Sequence, residues 1–190
     1  MREQRKLDSS WAGTYSSLCV FQGDKRQVIK AKNSGYLLEE FIYGDMSIGT
    51  AAPIISRDAY DCVGGFDGSF VRHQDWEFFA RIMDSYKMKA VPEAYYNRYY
   101  KMDVGKKTID ERLVYMKKYV TSMKKNIKSI PRDKLDKLMR RKYIPIGLSM
   151  IKEGRIRDAI GLFRKLKFTI ADYCFVIKMT LSYYAAKFGK

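Results

Sequence analysis

The sequence predicts a mixed α/β domain over residues 1–100 followed by an α-helical region over residues 101–190. Three observations carry that division. Residues 1–100 hold 13 basic and 13 acidic side chains, whereas residues 101–190 hold 24 against 8, so the second part carries the whole net charge of +16. Short runs rich in Val, Ile, Tyr and Phe, punctuated by Gly and Pro, fill the first part as strands do. The second part instead repeats apolar residues in steps of three and four with lysines between them, which is the period of an amphipathic helix. With 46% hydrophobic residues, the chain can bury a core.

Residues 14–21 and 27–32 read as two strands of a hairpin around the turn-like Gln22-Gly23-Asp24-Lys25. Residues 35–43 (GYLLEEFIY) have helical spacing and stop at Gly44, and residues 47–55 (SIGTAAPII), with Pro53, read as a short buried strand or an extended loop. Residues 57–63 predict a brief helix ended by Gly64-Gly65, since glycine readily takes the left-handed conformation that closes helices. A further helix is expected from about Asp75, with Trp76, Phe79, Ala80 and Met83 on its buried face, and residues 90–100 as a closing strand.

In the second part, Thr108 and Glu111 have capping-box spacing ahead of a long helix whose stripe is Leu113, Met116, Val120, Met123 and Ile127, ended by Pro131. Residues 135–150 and 154–168 predict two more helices, the latter burying Ile156, Ala159, Ile160 and Phe163. The tail, 168–186, is strongly apolar but carries Asp172 and Lys178. A spanning helix needs about 20 mostly apolar residues, so a buried or interfacial helix is expected. Cys19, Cys62 and Cys174 lack metal or disulfide spacing and read as buried thiols of a reducing compartment. The charged start MREQRKLDSSW has no apolar signal core, which gives the expectation of a cytoplasmic chain, peripheral at the inner face of the membrane if the basic region binds lipid.

The densest chemistry lies in GGFDGSFVRHQDWEFFAR, residues 64–81, which holds the only histidine, His73, beside Asp75 and several aromatics. Taken one by one these residues have plainer readings: Asp75 as an N-cap, Trp76 and Phe79 as core, Gly64-Gly65 as a C-cap, and His73 as a solvent-facing loop residue. Their order changes the weighting. The run SRDAYDCVGGFDGSFVRHQDWEFFAR, preceded by SIGTAAPII, resembles the second half of a family 2, GT-A type glycosyltransferase, in which a strand, a short Arg-containing helix, Gly-Gly-Phe-Asp, a loop, Glu-Asp-Trp-Asp and a helix with an Arg follow in that sequence.

The resemblance covers about residues 10–100 and implies a partial GT-A, Rossmann-like half domain with a basic helical extension. It implies sugar transfer from a nucleotide-sugar to a saccharide or lipid-linked acceptor in surface polysaccharide synthesis, with inversion and with Asp75 as general base. A helix N-terminus there would favour the carboxylate. Gly65, Phe66, Asp67 and Trp76 would then border the acceptor. The sequence departs from the pattern at Gln74, where the family has Glu, and at Tyr100, where a metal-associated His often stands. No Asp-x-Asp occurs in the 190 residues, so no metal ligand is assigned, and Mn or Mg is expected only with a separate donor half. The segment MREQRKL resembles the helix that follows that motif, and the chain reads as truncated. The expected partners are therefore the acceptor, a complementary donor-binding half and an anionic membrane surface. Two other readings compete: a non-catalytic binding or scaffold module, and nucleic-acid binding through the basic region. The last has charge alone behind it, with no recognition motif, and nucleic acid is not expected as a partner.

Overall fold

Strand β1 (Trp11–Gln22) organises the first half of the chain. The computed structural model describes residues 8–46, 48–99 and 107–177. The expectations for MREQRKL, for Tyr100 and for the tail beyond residue 177 lie outside them. Strand β2 (Lys25–Ile29) returns antiparallel to β1 through Gly23-Asp24, with Gly23 at φ +57, the positive angle a two-residue hairpin loop asks of its first residue. Helix α1 (Leu38–Tyr43), strand β3 (Ile54–Ile55), helix α2 (Arg57–Cys62), helix α3 (Gln74–Ser85) and strand β4 (Lys87–Tyr99) follow.

Strand β4 pairs parallel to β1 along its length, while β3 and β2 pair antiparallel with its first and second halves. A strand has two edges, so β3 and β2 share one and β4 takes the other. The fold of this part is thus mixed α/β with a four-stranded sheet. The β1–β4 register slips between Ser16 and Ser17, and the buried Ser17 hydroxyl fills the gap, donating to Pro92 O at 2.9 Å and accepting from the Ala31 amide at 3.1 Å.

Gly13 is fixed by close approach. A Cβ there would stand 2.0 Å from Ile54 O, and a backbone atom cannot swing aside as a side chain can. Gly13→Ala is expected to force β3 away from β1 at a cost of about 1–3 kcal/mol. A fall in the urea midpoint followed by tryptophan fluorescence would read it, since both tryptophans, Trp11 and Trp76, lie in this part. An unchanged midpoint would mean that the β1–β3 pairing is dispensable.

Helix α4 (Ile109–Asn126) starts with the expected capping box: Thr108 N–H donates to Glu111 Oε2 at 2.8 Å, and Glu111 N–H donates to Thr108 Oγ1 at 3.1 Å. Helices α5 (Arg132–Arg141), α6 (Ile144–Lys152) and α7 (Ile156–Lys165) follow, and residues 170–177 are helical. The chain divides into two units, Met1–Lys106 with Thr121–Pro131, and Lys107–Val120 with Arg132–Lys190. The first buries Tyr15 and Leu18 of β1, Ile42 of α1, and Phe78, Ile82 and Met83 of α3; each large side chain of this kind contributes about 1.5–3 kcal/mol on burial. The core of the second includes Ile144, Phe163 and Val176.

Several expectations are corrected. The helix predicted from residue 35 starts at Leu38, because Gly35 is held by paired backbone hydrogen bonds to Met88 at 3.0 and 2.9 Å. Among the described residues 48–55 only Ile54–Ile55 is a strand, and Ile54 is exposed. Helix α4 stops before Pro131, since the Asp84 carboxylate accepts from the Lys128 and Ser129 amides and from the Ser129 hydroxyl, replacing helical partners with a long-range one. The helix expected over 135–150 is two helices: Pro145, without an N–H, sits in the first turn of α6. On α7 only Ala159 and Phe163 are buried, because the Phe163 ring lies against the α6 backbone at Gly147, where a Cβ would be 2.2 Å from the ring, and this turns Ile156 and Ile160 outward. Of the cysteines only Cys19 is buried; Cys62 and Cys174 sit on outward sides of their helices.

Candidate functional site

The segment 56–85 is built by successive caps. The Ser56 hydroxyl accepts the Ala59 amide at 3.2 Å and starts α2, and Gly64 (φ +79) and Gly65 (φ +65) reverse the chain after it. Gly65 has a second constraint, since a Cβ would meet the Tyr60 ring at 2.7 Å. Asp67 Oδ1 accepts the Ser69 amide at 2.9 Å and tightens the loop, after which Phe70 is buried. His73, left-handed at φ +64, occupies the N-cap of α3, and its carbonyl accepts the Glu77 amide at 2.9 Å. Asp75 is therefore not the N-cap but lies within the first turn, where the helix N-terminus favours negative charge.

Asp75 Oδ2 accepts a hydrogen bond from the Thr50 hydroxyl at 2.5 Å, and Oδ1 accepts from the Trp76 amide at 2.9 Å. A carboxylate has about four lone-pair sites, so each oxygen retains acceptor capacity for a further hydroxyl. Trp76 departs from the core position expected for it: it is 38% exposed, and its ring lies 4.7 Å from that of His73. The buried face of α3 instead includes Glu77, Phe78 and Ile82 beside Phe79, Ala80 and Met83.

A charge takes an interior position here because its partners are in place. Glu77, 1% exposed, accepts from Arg81 Nε and Nη2 at 2.7 Å each, from the Ser122 hydroxyl at 3.0 Å and from Asn126 Nδ2 at 3.3 Å. Arg81 also donates to Val63 O and, at 2.7 Å, to Gly65 O. The guanidinium thus ties the double-glycine turn to the helix that carries Asp75. Phe66 packs on Phe78, with ring centroids 4.3 Å apart, and is 44% exposed.

Of the expected site residues, Gly65, Phe66 and Asp67 share one loop pinned to α3, while Asp75 and Trp76 share its first turn. Thr50, Ser122 and Asn126 were not singled out from sequence, and Glu77 and Arg81, though inside the resembling run, were given no role there. The Glu77/Arg81 spacing of four was the one available signal; Thr50, 25 residues from Asp75, offered none. Among the described residues no three His, Cys, Asp or Glu side chains lie where they could share a metal ion, and none of their helices is long and apolar enough to cross a membrane. Against models of protein families, curated proteins and solved structures, the chain matches none.

Proposed function

We propose that the sheet-bearing unit is the acceptor-side half of a family 2, GT-A type glycosyl-transfer protein, with Asp75 as the base toward a saccharide hydroxyl. The observation that carries this reading is the Asp75 carboxylate in the first turn of α3, held by Thr50, on the same helix as the Arg81 clamp on the double-glycine loop. As the acceptor oxygen bonds to the anomeric carbon and the bond to the departing phosphate breaks, the hydroxyl proton passes to Asp75. The exposed Trp76 and Phe66 rings offer apolar faces to the sugar. No Asp-x-Asp motif occurs in these 190 residues, and this chain alone is expected to bind nucleotide-sugar negligibly.

Two titrations test the proposal. On a saccharide array the chain is expected to capture an acceptor, with Trp76→Ala weakening capture about tenfold, equivalent to losing ~1.4 kcal/mol of stacking. Asp75→Asn keeps the shape and an acceptor oxygen and is expected to change capture less. In calorimetry with UDP-sugars and manganese, no micromolar binding is expected. Failure to capture any saccharide would remove the acceptor role; micromolar nucleotide-sugar binding would remove the half-site assignment.

A further inference from the structure

The helical residues 170–177 are amphipathic in the reverse sense to an ordinary surface helix. Their one charged side chain, Asp172, is fully buried, where it accepts from the Thr169 amide at 3.1 Å, the Thr169 hydroxyl at 2.9 Å and Arg141 Nε at 3.2 Å. Val176, four residues on, is buried with it. The outward stripe is Ile170, Cys174 and Ile177, spaced i, i+4 and i+7. Ile170 is 83% and Ile177 57% exposed, and Cys174 is exposed between them. The buried Asp172 anchor thus fixes which side of the helix faces out.

The surroundings of the stripe are cationic. Arg141 stands 5.4 Å from the ring centroid of the partly exposed Phe175, and Arg164, Lys165 and Lys167 lie three to six residues ahead of Ile170 in the chain. The described residues of this unit hold 16 basic side chains against 7 acidic. A second copy would bring the same excess against it, whereas anionic headgroups neutralise it. Among the described residues no helix is long and apolar enough to cross a membrane. We propose that the Ile170–Cys174–Ile177 stripe, with its bordering cations, lies in the interface of an anionic lipid surface without crossing it. This surface belongs to the helical unit and stands whether or not the sheet-bearing unit binds saccharide.

The test is sedimentation of the full chain with phosphatidylcholine vesicles, with and without phosphatidylglycerol. Pelleting is expected only with phosphatidylglycerol and is expected to weaken as salt rises. The double substitution Ile170→Ser and Ile177→Ser, at exposed positions, is expected to lower the partition about tenfold while helical circular dichroism is kept. A readout without that change is Cys174 itself: in a Cys62→Ser background, phosphatidylglycerol vesicles should slow its reaction with a polar maleimide. Absence of pelleting, equal pelleting of the double variant, or an unprotected Cys174 would each overturn the proposal. So would wild-type dimers that the double variant fails to form, which would assign the stripe to a second copy.

Discussion

Replacing Arg81 with alanine is expected to destabilise the sheet-bearing unit by about 3–5 kcal/mol, the range for removing one partner of a buried ion pair. Three losses coincide. Glu77, 1% exposed in the intact protein, loses its bidentate cation, and Val63 O and Gly65 O lose their guanidinium donors. Ser122 and Asn126 remain, but hydrogen bonds from neutral groups do not balance a buried charge. With a urea slope of 1–3 kcal/mol/M, the midpoint should fall by more than about 1 M. Replacing Glu77 and Arg81 together by methionine is expected to cost less than Arg81→Ala, because no unpaired charge is left inside. A midpoint for Arg81→Ala within about 0.2 M of wild type would contradict the clamp.

Asp172→Ala is expected to cost the helical unit about 2–3 kcal/mol, less than the Arg81 change. The difference follows from what is left behind. Arg140 and Arg141 keep 23% and 26% of their side-chain surface exposed and can turn to water, so the loss is mainly the Thr169 cap and one charge-assisted bond. The same residue sets a pH dependence. Burial pushes the Asp172 carboxyl up, but the Thr169 amide and hydroxyl, together with Arg141, hold it below the usual carboxylate range. A carboxylate lowered in the folded state contributes stability that is present above its unfolded value, near 3.9, and is lost as pH falls through the folded one. Helical circular dichroism should therefore show the unit weakening below about pH 4, and Asp172→Asn should flatten that loss. An Asn variant with the wild-type acid profile would contradict it.

Local signals carried the elements well. Gly23 marked the hairpin, Gly44 and Gly64-Gly65 marked helix ends, and the Thr108/Glu111 pair marked the start of α4, because each acts through the backbone of its near neighbours. What the sequence did not disclose depends on partners far along the chain. Asp84 ends α4 from more than forty residues away, Thr50 reaches Asp75 across a loop, and the buried Glu77, paired with Arg81, has further acceptor sites met by Ser122 and Asn126. Periodicity placed Trp76 inside because it counts apolar residues and cannot weigh a satisfied carboxylate against an indole. It placed Ile156 and Ile160 inside for a similar reason: the contact between Phe163 and Gly147 rotates α7, and glycine contributes nothing to an apolar pattern. The site residues, Arg81 among them, were visible as a motif, whereas the contacts by which Arg81 clamps the double-glycine turn were not.

The acceptor role is tested most directly by titrating the isotope-labelled chain with the saccharide the array selects and following its backbone amide resonances. The largest shifts are expected at Thr50, Gly65, Phe66, Asp67, Asp75 and Trp76, and Trp76→Ala should abolish saturation over the same range. Shifts confined to residues 132–177, or none at those six positions with any saccharide, would contradict the assignment of this site to an acceptor.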